Sequence, residues 1–151
     1  LLTGARNQAA LFRFANARGG RDSGWGALSL FLLLAAKLGL LAALAARAET
    51  AVMAALFSAH VLSRFAPLVA AHWLDMRPEA LRTLRVGALW CVVPLVLMGV
   101  AGGVAFLVLA LLVSALAGFA LVRFTTPQHE RPGAVQQVCE VAFYLGAAIA
   151  A

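Results

Sequence analysis

The sequence predicts an all-α, multi-pass transmembrane helix bundle with about five spans, and three observations carry that prediction. Hydrophobic residues make up 64% of the 151 residues and charged residues only 12%, whereas soluble domains carry about a quarter charged residues. The apolar residues come in blocks, several of them near the ~20 residues that a helix needs to cross a hydrocarbon core. The charges, mostly arginines, gather between those blocks.

Residues 1–26 are the least hydrophobic part and read as a basic interfacial or cytoplasmic segment. They hold Arg6, Arg13, Arg18 and Arg21, and Ala9 to Ala17 is expected to form a turn or two of helix lying against the bilayer. No signal-peptide pattern opens the chain. Its first residue is Leu rather than Met, which reads as a fragment or a trimmed chain. The segment ends in Gly19-Gly20-Arg21-Asp22-Ser23-Gly24-Trp25-Gly26, and this polar mouth has two readings. Asp22 or Ser23 can cap the next helix by accepting its orphan N–H groups, and local chemistry favours this cap. Alternatively, Asp22 binds a metal ion, or a phosphate-bearing substrate through that ion.

The bundle proper is 27–151. The first span, 27–46, carries Lys37 near its middle, too deep for easy snorkelling and therefore expected to face a polar interior. The second, 51–73, carries His60 and Arg64 on one helix face, with Ser63 beside them. Ionisable residues at such depth are costly unless paired, so they are candidate functional groups expected to point into the bundle. Asp75 to Arg85 reads as a charged loop. The third span, 86–100, contains Pro94, and Gly102-Gly103 is expected to turn the chain into the fourth, 104–122. Gly99 and Gly103 also make a small-xxx-small pair. Arg123 to Pro132 is a second polar loop. The fifth span, 133–151, opens with Gln136, Gln137 and Glu140, polar groups suited to a hydrogen-bonded bundle interior.

The net charge of +6 raises the question of nucleic acid, but the charge lies in loops between apolar blocks, and positive-inside topology explains it better. With five spans, the opening segment and the 75–85 and 123–132 loops share one side with nine arginines, against Arg47 alone on the other. The expected placement is therefore a bacterial inner membrane with a cytoplasmic N-terminus, a lipid bilayer partner and no nucleic acid. Cys91 and Cys139 lie in separate apolar runs without metal-ligand spacing and read as buried thiols.

Four stretches, in order along the chain, resemble one family. Gly133-Ala134-Val135-Gln136-Gln137-Val138-Cys139-Glu140-Val141-Ala142-Phe143-Tyr144-Leu145-Gly146 resembles the C-terminus of cobalamin synthases, the adenosylcobinamide-GDP ribazoletransferases. Leu1-Leu2-Thr3-Gly4-Ala5 resembles the run before that family's acidic motif. Arg21-Asp22-Ser23 with Gly26 and the Lys37 helix resembles its basic-Asp-Ser segment, and Ala59-His60-Val61-Leu62-Ser63-Arg64 its small-x-x-Ser-Arg stretch.

The resemblance implies cobalamin biosynthesis. Alpha-ribazole, or its phosphate, is joined to adenosylcobinamide-GDP with release of GMP, and Mg2+ serves as cofactor. It implies Asp22 and His60 as catalytic groups, with Asp22 and Glu130 as metal ligands. Arg13, Ser23, Lys37, Arg64, Gln136 and Gln137 are the substrate-binding candidates. A homo-oligomer or corrin-pathway membrane enzymes are the candidate protein partners. The acidic motif itself is replaced. Where the family has His-Glu-Asp-Gly-Leu-Ala-Asp and a further Asp-Gly, this chain has Asn7, Gln8, Ala9, Ala10, Leu11, Phe12 and Arg13, then Asn16-Ala17. A short helical stretch that the family carries before Asp22 is also missing here. Amides and Arg cannot supply the anionic oxygens that magnesium takes, so little or no transfer is expected. Two alternatives stand beside the transferase: an inert family relative that binds or assembles at the membrane, and a small helical transporter with Lys37, His60, Arg64 and Glu140 along its path. No repeat-like halves favour the transporter.

Overall fold

The computed structural model describes residues 2–19, 24–75, 78–124 and 131–151. Among them the protein is helical: α1 (Leu2–Gly19), α2 (Trp25–Ala45), α3 (Glu49–Asp75), α4 (Pro78–Phe124) and α5 (Arg131–Ala150). Four of these, α2 to α5, are long and apolar enough to cross a membrane.

The predicted third and fourth spans are both contained in α4. Its apolar stretch, Leu81–Arg123, has 43 residues, about 65 Å if straight at 1.5 Å per residue and so twice the hydrocarbon thickness. It is not straight. Gly103 has φ 81° and ψ 173°, a combination open essentially only to glycine. A Cβ at Gly99 would lie 3.8 Å from the Leu107 side chain, whereas residues eight apart in a continuous helix are about 12 Å apart. The chain therefore doubles back here as a helical hairpin. Gly103→Ala is expected to cost about 1–3 kcal/mol through this strained conformation. Detergent-denaturant unfolding of the purified protein measures it, and an unchanged midpoint would mean that the turn tolerates a side chain.

Register contacts fix the order of the legs. Ser58 Oγ donates to the Pro94 carbonyl at 2.8 Å and the Phe65 ring covers Gly87, so α3 runs antiparallel to the first leg of α4. Ser114 Oγ donates to the Cys139 carbonyl at 3.0 Å, while Gly146 lies against the backbone of Leu109 and Ala110. The second leg is therefore antiparallel to α5. A side chain at Gly146 would meet that backbone at 2.5 Å. Small residues permit this approach, on which helix association in lipid depends. Both α3 and α4 continue through their prolines, Pro67 and Pro94.

Two expectations for the polar segments change. α1 is an 18-residue helix, not a turn or two, because its apolar side has neighbours: Leu11 and Phe14 pack with Ala134 of α5. The expected 75–85 loop is helical from Pro78 onward, where Pro fits the first helical position. The core lies in two clusters. One gathers Leu44, Ala51, Ala55, Ala59, Met98, Phe106, Phe143 and Tyr144 among others, and the smaller one gathers Leu11, Phe14 and Ala134. Along α5 the polar residues Gln137 and Glu140 fall between them.

Candidate functional site

Gln137, Glu140 and Tyr144 occur at i, i+3 and i+7 on α5 and so share one face. Lys37 reaches this face from α2. Its Nζ lies 2.7 Å from Glu140 Oε2 and donates to Gln137 Oε1 at 3.0 Å. Tyr144 donates its hydroxyl to the other carboxylate oxygen, Oε1, at 3.2 Å. Both oxygens of Glu140 thus have partners and the set is neutral overall. Lys37 is the thirteenth of 21 residues in α2 and Glu140 the tenth of 20 in α5, so the pair sits near mid-span. Charged groups there are tolerated when they face the bundle interior and pair. The expectation that Lys37 faces a polar interior holds. Sequence reasoning misses Tyr144 altogether and expects Glu140 in a hydrogen-bonded bundle interior, or on the transporter path, without naming Lys37 as its partner. The available signal is arithmetic, because Glu140 is the only acid within any predicted span and Lys37 the only lysine in the chain.

A second polar contact lies one turn toward the start of α5. Asn7 Nδ2 donates to Gln136 Oε1 at 2.8 Å, which fastens α1 to α5. Asn16 at the other end of α1 accepts the Gly26 N–H at 2.6 Å. That bond changes the reading of the α2 start. The N-cap residue is Gly24, at φ 64° with no side-chain cap of its own, and an amide from the neighbouring helix satisfies an N–H of the first turn. Asp22 and Ser23, the expected caps, lie outside the described residues, as does Glu130.

The predicted residues therefore divide. Lys37, Gln136 and Gln137 are drawn into contacts between helices. Arg13 is exposed on α1. His60 and Arg64 share a face as expected, but it is the outer face: both are exposed, while Ala55, Ser58, Ala59 and Ser63 turn inward. The expectation that they point into the bundle is wrong. The small side chains on the opposite side of α3 win the interior because they allow close helix approach. Between α1, α2 and α5 lies an open groove of about 660 Å³, lined by Leu11, Phe14, Ala15, Trp25, Ser29, Leu33 and Val138.

The expected magnesium ligands, Asp22 and Glu130, lie outside the described residues. Among the described residues no three His, Cys, Asp or Glu side chains come together as a metal site. At the acidic-motif positions, Asn7 and Asn16 spend their amides on helix contacts. The described arrangement supports no step through that ion.

Comparison with known proteins adds one relative. The chain is similar to a ribazoletransferase. It is 30% identical to the adenosylcobinamide-GDP ribazoletransferase of Albidiferax ferrireducens over 161 residues, covering 85% of this chain and 58% of that protein. This chain thus spans somewhat over half the length of its relative. The aligned stretch is longer than the chain itself, so the relative carries internal residues with no counterpart here, in keeping with the missing helical stretch. No protein-family model matches the chain, and no solved structure matches it.

Proposed function

We propose that this protein belongs to cobalamin biosynthesis as a membrane protein of the adenosylcobinamide-GDP ribazoletransferase type. The observation that carries the reading is the similarity to a protein of that name along 85% of the chain, in a bundle with four helices fit to cross a membrane. The reaction forms a P–O bond between alpha-ribazole, or its phosphate, and the cobinamide-side phosphorus, and breaks the P–O bond that holds GMP. Phosphoryl transfer of this kind depends on positioning and on neutralising charge. The groups offered for the substrates are Arg13 on α1, Asp22 and Ser23 between α1 and α2 in the sequence, and Glu130 just before α5 in the sequence. Lys37 and Gln137, which bond across α2 and α5, leave the substrate role. The test is release of GMP from adenosylcobinamide-GDP and alpha-ribazole by membranes containing the chain, with equilibrium binding of adenosylcobinamide-GDP measured alongside. The absence of both binding and release above the level of empty membranes would refute the reading.

The inert alternative gains support from α1, where Asn16, at a position where the family has an acid, instead holds the start of α2. Binding without release would select it. The transporter loses its proposed path, since Lys37 and Glu140 close on each other and His60 and Arg64 face outward.

The proposed orientation puts α1 in the cytoplasm of a bacterial cell and Ala151 outside the inner membrane. α1 packs against the start of α5, while Arg47 bonds the Ala151 carbonyl at the opposite end, and the arginine bias points the α1 end inward. A phosphatase fused after Ala151 is expected to be active. An inactive phosphatase, with an active cytoplasmic reporter at the same position, would overturn the topology.

A further inference from the structure

The groove between α1, α2 and α5 is framed by polar bonds, one for each pair of its walls. Asn7 holds α1 to Gln136 of α5, Lys37 holds α2 to Gln137 of α5, and Asn16 of α1 accepts the Gly26 N–H at the start of α2. These bonds keep the three helices at their spacing while the space between them stays open. Its lining follows from helical spacing. Leu11 and Phe14 lie three apart on α1, and Trp25, Ser29 and Leu33 lie four apart on α2, so each set shares a face, with Val138 of α5 as the remaining wall. The volume of about 660 Å³ falls within the range of about 300–1,000 Å³ for small-molecule sites. The apolar stretch of α2 begins at Trp25, so Trp25 and Ser29 lie within about 6 Å of its end at 1.5 Å per residue. The groove thus lies at the edge of the membrane span, not in its middle. Ser29 supplies the one side-chain hydroxyl of the lining, and that hydroxyl has no hydrogen-bond partner among the described residues.

We propose that this groove binds the base of alpha-ribazole, a flat and largely apolar bicycle. The proposal rests on the transferase reading and adds to it the place where one substrate is held. The base is a dimethylbenzimidazole: two fused rings, two methyl groups, and one ring nitrogen left to accept a hydrogen bond once the other carries the ribose. The lining matches each of these features. Phe14 and Trp25 offer aromatic side chains to a flat ring, and stacking of a base on such a side chain needs only a π-face. Leu11, Leu33 and Val138 offer apolar surface to the methyl groups. Ser29 offers one hydroxyl to one ring nitrogen. Other occupants fit worse. Guanine and adenine carry several donors and acceptors, and most of these would lose water with nothing in this lining to replace it. A lipid acyl chain would give the Ser29 hydroxyl no acceptor. Trp25 also follows closely in the sequence on Asp22 and Ser23, two of the groups proposed for the substrates.

The test is equilibrium binding of alpha-ribazole to the full chain, purified and reconstituted in lipid nanodiscs, with binding of adenosylcobinamide-GDP measured on the same samples. Alpha-ribazole is expected to bind, free dimethylbenzimidazole should compete with it, and guanosine should not. Trp25→Leu is expected to raise the Kd for alpha-ribazole about tenfold, as the loss of a stacked ring implies, whereas Trp25→Phe should keep most of the affinity. Ser29→Ala should raise the Kd about fivefold through the lost hydrogen bond. Ala15→Phe, which places a ring in the groove, should abolish binding. Size-exclusion profiles and unfolding midpoints identify any variant that fails to fold, and Ser29→Ala, which removes a single oxygen, carries the test if a larger change does fail. Alpha-ribazole that binds Trp25→Leu and Ser29→Ala as tightly as the unmodified chain would overturn the proposal and leave the transferase reading intact. Competition by guanosine would do the same, by assigning the groove to the nucleotide. Absence of alpha-ribazole binding would also overturn it, and the transferase reading would fail with it only if adenosylcobinamide-GDP binding and GMP release were absent too. A co-purifying phospholipid that is lost in Ala15→Phe, with alpha-ribazole binding unaffected, would assign the groove to lipid and overturn the proposal as well.

Discussion

Lys37→Met is expected to destabilise the bundle by about 3 kcal/mol, near the lower end of the range for breaking a buried ion pair. The cost arises less from the lost attraction than from what remains. Glu140 is only 12% exposed at its side chain, and without Lys37 its carboxylate keeps one hydroxyl donor, Tyr144, while Gln137 loses the donor to its carbonyl. The lower end applies because hydrogen-bond contributions in membrane interiors run smaller than the apolar surroundings suggest. Glu140→Leu alone should cost a similar amount by orphaning the ammonium. The double variant, Lys37→Met with Glu140→Leu, should recover most of the loss, since replacing both partners by apolar groups removes the desolvation penalty with the pair. Unfolding midpoints in a detergent–denaturant series for the four proteins give the coupling energy directly. Additive single losses would mean that the two side chains do not stabilise each other.

Ribazole transfer by the unmodified chain is expected to be at least about 10²-fold slower than by a variant with Gln8→Glu, Ala9→Asp, Arg13→Asp and Asn16→Asp. Removing a single preorganised charge-stabilising group at such a centre already costs about 10²–10³ in rate. The geometry of α1 makes the restored variant a fair comparison. Positions 9, 13 and 16 fall at helical spacings i, i+4 and i+7, so carboxylates there would line one stripe. The carboxylate introduced by Asn16→Asp keeps an acceptor oxygen for the Gly26 N–H that Asn16 now receives, so the α1–α2 junction survives. Asn7, which fastens α1 to α5, is left in place. Complementation of a strain lacking its own cobalamin synthase, growing on cobinamide, gives the readout in cells, and GMP release gives it in membranes. Robust growth with the unmodified chain would show that the acids retained at positions 22 and 130 suffice and that the lost motif is dispensable here.

These two experiments separate the roles that polar residues play in this protein. The first concerns groups that hold the bundle together, and the second concerns groups that the family resemblance assigns to chemistry. Lys37 is a candidate for both on sequence grounds, and its two contacts with α5 put it among the first.

The sequence by itself determined the fold class, because long apolar blocks admit little else once every backbone group must be satisfied within its own segment. It also determined the position of the hairpin at Gly102-Gly103, since glycine is the residue that the turn's backbone requires. The mid-span depth of Lys37, His60 and Arg64 was legible too, because depth is only a count along a helix. What the sequence could not decide was which way each of these side chains faces. Periodicity puts His60 and Arg64 on one face of α3, but lipid is as apolar as a bundle core, so hydropathy does not say which face turns inward. Small residues decide that, through contacts such as Ser58 with Pro94 that exist only once α3 and α4 are placed together. The partner of Lys37 is Glu140, 103 positions away, and it becomes a neighbour because α2 and α5 run in the same direction through the membrane. The cap at Gly26 comes from Asn16 on another helix, whereas local chemistry pointed to the nearest acid and hydroxyl in the chain. Residue type and local spacing fixed the elements and the depth of each charge; which charges meet was decided by the packing of helices distant in sequence.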